Sequence, residues 1–350
     1  MKRLLTLVLV LTLLLSGCSL LLQREYQSVQ PHVEQAAAEE DPSILKAENY
    51  QSLVSAVLHF VSGGLESGKV RLYKYTGDVE ADLEAACAEV LTEDPLGAYA
   101  LEEIDHEYNR IVSYYECTLT FHYRRTKAQI EAVQPVSGQS SIRDAVRTAL
   151  VGYQPDLALR LSSYYADPDA LLDLMRQAYR ELGLAALGRP EVTVSLYPDS
   201  GSQRIAELSF TYAEPRSTLL LRADAVERAA EKLTAEPYES DEAAAWALAQ
   251  AIHCGPEGEA SAYAALVEGE ASHLGAAMTY QGLCQLAGIP CQLVSGTCTG
   301  KGRYWNIVEV DGVFRHVDVY AQQPRETFFR TDSQMPDYNW DQNLYPVCAD

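Results

Sequence analysis

Residues Glu268–Gly296 read EGEASHLGAAMTYQGLCQLAGIPCQLVSG. A turn of small residues opens a helix whose apolar residues Ala276, Tyr280, Leu283 and Ala287 fall at i, i+4, i+7 and i+11. That spacing puts one stripe against a core. Gly288 and Pro290 stop the helix, and a strand follows. Ser272, His273 and Cys284 all lie here, but only a group at the helix start can face a substrate held there. Cys284 stands eleven residues beyond His273, about 16 Å along a helix at 1.5 Å per residue, so it reads as core. Ser272 is the neighbour of His273, and neighbours in a helix point apart.

Downstream, RYWNIVEV (303–310), Asp311-Gly312 and VFRHVDV (313–319) read as a strand, a hairpin turn and a second strand. A buried helix against an antiparallel hairpin emerges from pattern alone. With SAYAALVEGEAS (261–272) before and FFRTDSQMPDYNWDQNLYPVC (328–348) after, these residues resemble the transglutaminase-like domains of bacterial extracytoplasmic proteins. Those domains share the papain-like cysteine-peptidase architecture, and the resemblance covers about Asp241 to Cys348.

The resemblance implies a catalytic Cys two residues before the helix Gly, a His two residues before the Trp of a Trp-Asn pair, and an Asp closing a His-Val-Asp run. The chemistry needs that set, because a helix N-terminus stabilises thiolate, a nearby His takes the proton and the Asp orients the His. Here the three positions hold His273, Arg303 and Asp318. Arginine stays charged and cannot receive a proton. The expectation is a degenerate triad in which Arg303 and Asp318 form an ion pair, with His273 hydrogen-bonded or capping nearby, and no cofactor. The retained Trp305 and Asn306 are expected to line a groove able to hold an extended peptide or a cell-wall component.

Two enzymatic alternatives stand beside this. One is a divergent transglutaminase or cysteine peptidase that still works. The other is a metal-dependent hydrolase: His316 and Asp318 alternate along one strand and share a face, so with a neutral His273 they would offer Zn²⁺ or Fe²⁺ two imidazoles and a carboxylate.

The chain begins MKRLLTLVLVLTLLLSGC. Two basic residues precede an apolar run, Leu4 to Leu15, too short to span a bilayer and suited to an export signal. Leu15-Ser16-Gly17-Cys18 resembles the lipobox of bacterial lipoproteins. This implies a signal peptide over 1–17, a lipid on Cys18 and an extracytoplasmic protein held at the cell membrane. Residues 18–46 read as a tether. With 27 basic against 49 acidic residues the formal charge is −22, which argues against nucleic acid as a partner. Seven cysteines follow Cys18, an odd number that leaves at least one thiol unpaired within the chain.

Between tether and C-terminal domain the sequence repeats. LYKYTGDVEADLEAACAEVL and RLSSYYADPDALLDLMRQAY each read as a strand, an Asp N-cap and an amphipathic helix, followed by two strand-like runs. Tyr75 corresponds to Tyr164, Asp78 to Asp167, Phe121 to Phe210 and Tyr123 to Tyr212. The predicted fold class is α+β: a first strand-helix-strand-strand repeat over 47–133, a second over 134–221, a helical connector over 222–240 and the transglutaminase-like domain over 241–350. His59, His106 and His122 read as isolated histidines.

Overall fold

The computed structural model describes residues 37–38, 43–161, 167–235 and 237–350. The expected leader, Cys18, most of the tether and Tyr164 lie outside these residues. No helix among the described residues is long and apolar enough to cross a membrane. The chain divides into two compact units, one ending at Thr126 and the other running from Lys127 to Asp350.

In the first unit, β1 (Ile44–Ala47) leads into α1 (Tyr50–Ser62), β2 (Ser67–Tyr73), α2 (Val79–Thr92), the short α3 (Pro95–Ala100), and the hairpin β3 (Leu101–Ile111) and β4 (Tyr114–Tyr123). The sheet order is β1-β2-β4-β3, with Ala37–Ala38 pairing outside β1. β1 and β2 are parallel, joined through α1, and the other neighbours are antiparallel. Leu53, Val57, Phe60 and Val61 of α1 are buried, as the apolar spacing requires, with Leu83 and Val90 of α2 and Val70, Leu119 and Phe121 of the sheet. Each such side chain contributes roughly 1.5–3 kcal/mol by leaving water. Asn49 and Ser52 form a capping box, Asn49 accepting from Ser52 N–H at 2.9 Å and Ser52 Oγ from Asn49 N–H at 3.1 Å.

After a short helical segment (Lys127–Glu131), the second unit repeats that order with a 3-10 turn (Gly183–Ala185) in place of α3: β5 (Gln134–Val136), α4 (Gln139–Val151), β6 (Asp156–Leu161), α5 (Pro168–Arg180), β7 (Glu191–Tyr197) and β8 (Arg204–Thr211), in a sheet of order β5-β6-β8-β7. Helices α1 and α4 start 89 positions apart (139 against 50), and so do α2 and α5 (168 against 79). The apolar stripe Leu53, Val57, Phe60 and Val61 predicts a helix over about 47–62, which α1 bears out, but each repeat also has a leading strand, and the second a leading helix, that the strand-helix-strand-strand reading left out. The tether reading is corrected at its end: Ile44 to Ala47 pair with Lys69 to Leu72, and Leu45 and Ala47 are buried.

Helix α6 (Arg216–Thr234) follows Pro215 and begins six residues before the expected connector. Then come α7 (Asp241–Gln250), β9 (Cys254–Glu259), a single π-helical turn (Ala264–Glu268), α8 (His273–Leu286), β10 (Cys291–Cys298), β11 (Lys301–Val310), β12 (Val313–Val317) and β13 (Tyr338–Trp340). The last four strands form an antiparallel sheet of order β12-β11-β10-β13. Helix α8 lies between two cores. Ala276, Tyr280, Leu283 and Cys284 join α7 and the sheet, while Leu274 and Met278 join the core of the second repeat.

The end of β9 presses on the start of α8. A Cβ at Gly275 would lie 2.6 Å from the Glu259 carbonyl oxygen and 2.9 Å from the Ser261 nitrogen, both backbone atoms. Gly275→Ala is expected to cost about 1–3 kcal/mol through overpacking. The urea midpoint read by tryptophan fluorescence checks this, since Trp246, Trp305 and Trp340 are the chain's only tryptophans and all belong to the second unit. An unchanged midpoint would refute the close contact.

Candidate functional site

Ser272 caps α8, its Oγ accepting from Gly275 N–H at 3.3 Å, so it serves the helix end. His273 is the first helical residue. Its ring stacks on Tyr304, with centroids 5.6 Å apart, and meets the edge of Tyr320 at 6.0 Å. The pairing of β11 with β12 stops at Asn306 opposite Val317. Tyr304 lies beyond it, and its N–H donates instead to His273 Nδ1 at 3.2 Å. That bond makes Nδ1 the acceptor and places the ring proton of neutral His273 on Nε2. Burial holds the imidazole below the ordinary histidine pKa, Arg303 pushes it the same way and Asp318 opposes.

Arg303 and Asp318 form an ion pair. Arg303 Nε donates to Asp318 Oδ2 at 2.9 Å, and a terminal nitrogen approaches the same oxygen at 2.8 Å. Asp318 Oδ2 also accepts from the Tyr338 hydroxyl at 2.6 Å, and Oδ1 caps the 3-10 turn Val319–Ala321 through Ala321 N–H at 3.2 Å. The carboxylate is engaged on both oxygens, and its side chain is 1% exposed. The guanidinium carbon lies 4.4 Å from the centroid of the Tyr320 ring, adding a cation–π contact on its face.

The metal trio does not assemble. Alternation along β11 sends Tyr304, Asn306 and Val308 toward α8: Tyr304 stacks on His273, Asn306 Nδ2 donates to the Ala277 carbonyl at 3.0 Å, and Val308 shares a core with Tyr280. Val317, opposite Asn306, follows that face, whereas His316 lies opposite Ile307 and turns to the other. There His316 Nδ1 accepts from Trp305 Nε1–H at 3.0 Å, and Nε2 meets Asp332 Oδ1 at 2.8 Å. His316 therefore faces away from α8, because the ladder phase, which the sequence does not fix, decides which face the helix covers, while Asp318 lies past the end of β12 and is engaged by Arg303 and Tyr338. The expected groove is corrected too. Trp305 and Asn306 are both fully buried, and neither offers a surface to a ligand.

His316, Asp332 and Cys348 do bring three ligand atoms within 4.8 Å of one another. The donor set does not suit a metal. Indole N–H can only donate, so Nδ1 is committed as acceptor and the ring proton sits on Nε2, facing Asp332. A metal on Nε2 would displace that proton and require an imidazolate or the loss of the Trp305 bond. The triplet is a satisfied buried network. Asp332, Tyr304, Tyr320 and Tyr338 were not singled out from sequence, and their contacts cross long stretches of chain with no local signal. In the first unit, His122 is less isolated than it reads: it pairs with Asp105 at 2.8 Å, with Glu103 nearby, all exposed.

Cys284 is buried in the core, as its spacing indicates. Half-buried Cys254, at the start of β9, is a thiol that senses the Arg303–Asp318 pair. Burial pushes it up to about 11, Asp318 adds to the rise and Arg303 opposes it. At neutral pH it is a thiol, which is a poor nucleophile.

No family model matches the sequence, and no curated protein matches it. Among solved structures the chain is similar to a TGase (11% identity, 65% of this chain and 67% of that one, TM-score 0.26). It is also similar to a candidate cysteine protease from Cytophaga hutchinsonii (11% identity, 43% and 70%, TM-score 0.25) and to a candidate protease from Parabacteroides distasonis (10% identity, 72% and 40%, TM-score 0.20). These overlaps are loose.

Burial holds His316, like His273, below the ordinary value, with Asp332 opposing. Below about pH 6.5 the unfolded chain binds protons that these folded imidazoles refuse, so stability falls as pH drops through that window. The urea midpoint of the tryptophan-monitored transition is expected to decline between about pH 7.5 and 5.5. The decline shrinks in His273→Asn, which keeps an acceptor for Tyr304 N–H. A midpoint that rises on acidification would contradict this assignment.

Proposed function

We propose that this is a lipid-anchored extracytoplasmic protein whose C-terminal transglutaminase-like domain is chemically silent, acting in binding or scaffolding at the cell envelope. The observation that carries the reading is the Arg303–Asp318 ion pair. In a working thiol site the Asp would orient an imidazole and the imidazole would take the thiol proton. Here the Asp is occupied by a permanent cation, and the residue at the helix start is an imidazole bound to a backbone N–H. Neither a nucleophile nor a base stands at the positions where the resemblance puts them. The export-type leader and Cys18 in the sequence support the location, and the order of residues from Asp241 to Cys348 supports the family.

The enzymatic alternative needs another thiol, and Cys254 is the one that senses the former triad. Its raised pKa works against it. Full-length protein incubated with a fluorescent primary amine and a glutamine-containing peptide is expected to show neither amine incorporation nor a covalent acyl adduct by mass spectrometry. Turnover abolished by Cys254→Ser would overturn the silent-site reading.

A further inference from the structure

The face of α8 that meets the second repeat changes character along its length. Leu274 and Met278 seal it into the repeat's core. Gln281 and Gln285 continue the same i, i+4, i+7, i+11 stripe, and there the seam opens into a cleft of about 500 Å³. A polar cleft begins where the shared core ends. Its repeat-side wall carries Arg147 from α4 and Arg180 from α5, and its other wall Gln292 from β10 and Tyr345 from the C-terminal tail. The size and the position at a seam between packed modules are those at which ligand sites occur.

The charge in the cleft runs against the rest of the molecule. The chain is −22, yet two guanidiniums line this wall. Glu181, the acidic residue of the lining, is turned to Arg143 at 3.5 Å. Arg147 has no ion-pair partner among the described residues. Arg180 is steadied by Tyr304, donating to its hydroxyl at 3.2 Å and lying 5.9 Å from the ring centroid. With a screening length of about 8 Å at physiological salt, distant acids are muted and the local arginines set the field. Glutamine amides each donate and accept, matching the groups of a peptide backbone. Gln281 is already oriented, its Nε2 donating to the Cys291 carbonyl at 3.2 Å.

We propose that this cleft binds an acidic peptide, with Arg147 and Arg180 taking its carboxylates and Gln281, Gln285 and Gln292 taking its amide groups. The inference goes beyond the silent-site reading and does not rest on it, since no cleft residue belongs to the former catalytic set. The test is fluorescence anisotropy of labelled acetyl-triglutamate against the full chain in detergent. Saturable binding is expected, at least tenfold tighter than for acetyl-triglutamine and weakened by added salt. Arg147→Gln is expected to lower the affinity at least tenfold without moving the urea midpoint, and Gln285→Ala to lower it severalfold. Equal binding of the two peptides, indifference to Arg147→Gln, or no saturable binding would overturn it. So would competition by inorganic phosphate as effective as by the peptide, which would mark a simple anion site.

Discussion

The Arg303–Asp318 pair is the contact on which the C-terminal site is built. It joins the end of β11 that runs past β12 to the residue where the chain leaves β12, and Tyr338 brings β13 to the same carboxylate oxygen. Replacing such a nearly buried pair as a whole need not cost much, but removing one partner strands a charge and is expensive. Arg303 therefore has a structural task that ties it to this position. His273 has an equivalent task at the helix start, satisfying a backbone N–H that the sheet leaves without a partner.

Helix α8 links this site to the rest of the second unit. One side carries Tyr280, Leu283 and Cys284 into the core shared with α7 and the sheet, while Leu274 and Met278 join the second repeat. Close backbone approaches hold that arrangement. Gly275 lies against β9, and a Cβ at Gly282 would meet the backbone nitrogen of Leu184 at 2.9 Å. Tyr304 spans the two sides, stacking on His273 while its hydroxyl accepts from Arg180 of the repeat. The start of α8 at His273 and the glutamine-lined cleft thus share one tyrosine.

Much of this was legible in the sequence because it is local. The stripe from Ala276 to Leu283, the Gly288-Ile289-Pro290 stop, the Asp311-Gly312 turn and the Asp caps of α2 and α5 follow from spacing and turn chemistry. The leading strand of each repeat was not, because Ile44–Ala47 and Gln134–Val136 are too short to show alternation and are defined by parallel partners far along the chain. The face of His316 was misread for a related reason. Alternation shows which residues share a face, but only the packing of α8 over Tyr304 and Asn306 shows which face is which. Trp305 and Asn306 were read as groove residues, yet both are fully buried: Asn306 ties the sheet to α8 through the Ala277 carbonyl, while Trp305 packs on the opposite face with Tyr338 and Trp340.

The most direct test of this account is a double-mutant cycle between Arg303 and Asp318, using Arg303→Met, Asp318→Leu and the double variant, with urea unfolding followed by tryptophan fluorescence. A coupling of about 1–3 kcal/mol is expected, with the double variant less destabilised than the sum of the singles. Additivity to within about 0.3 kcal/mol would contradict it, because the two side chains would then not depend on each other.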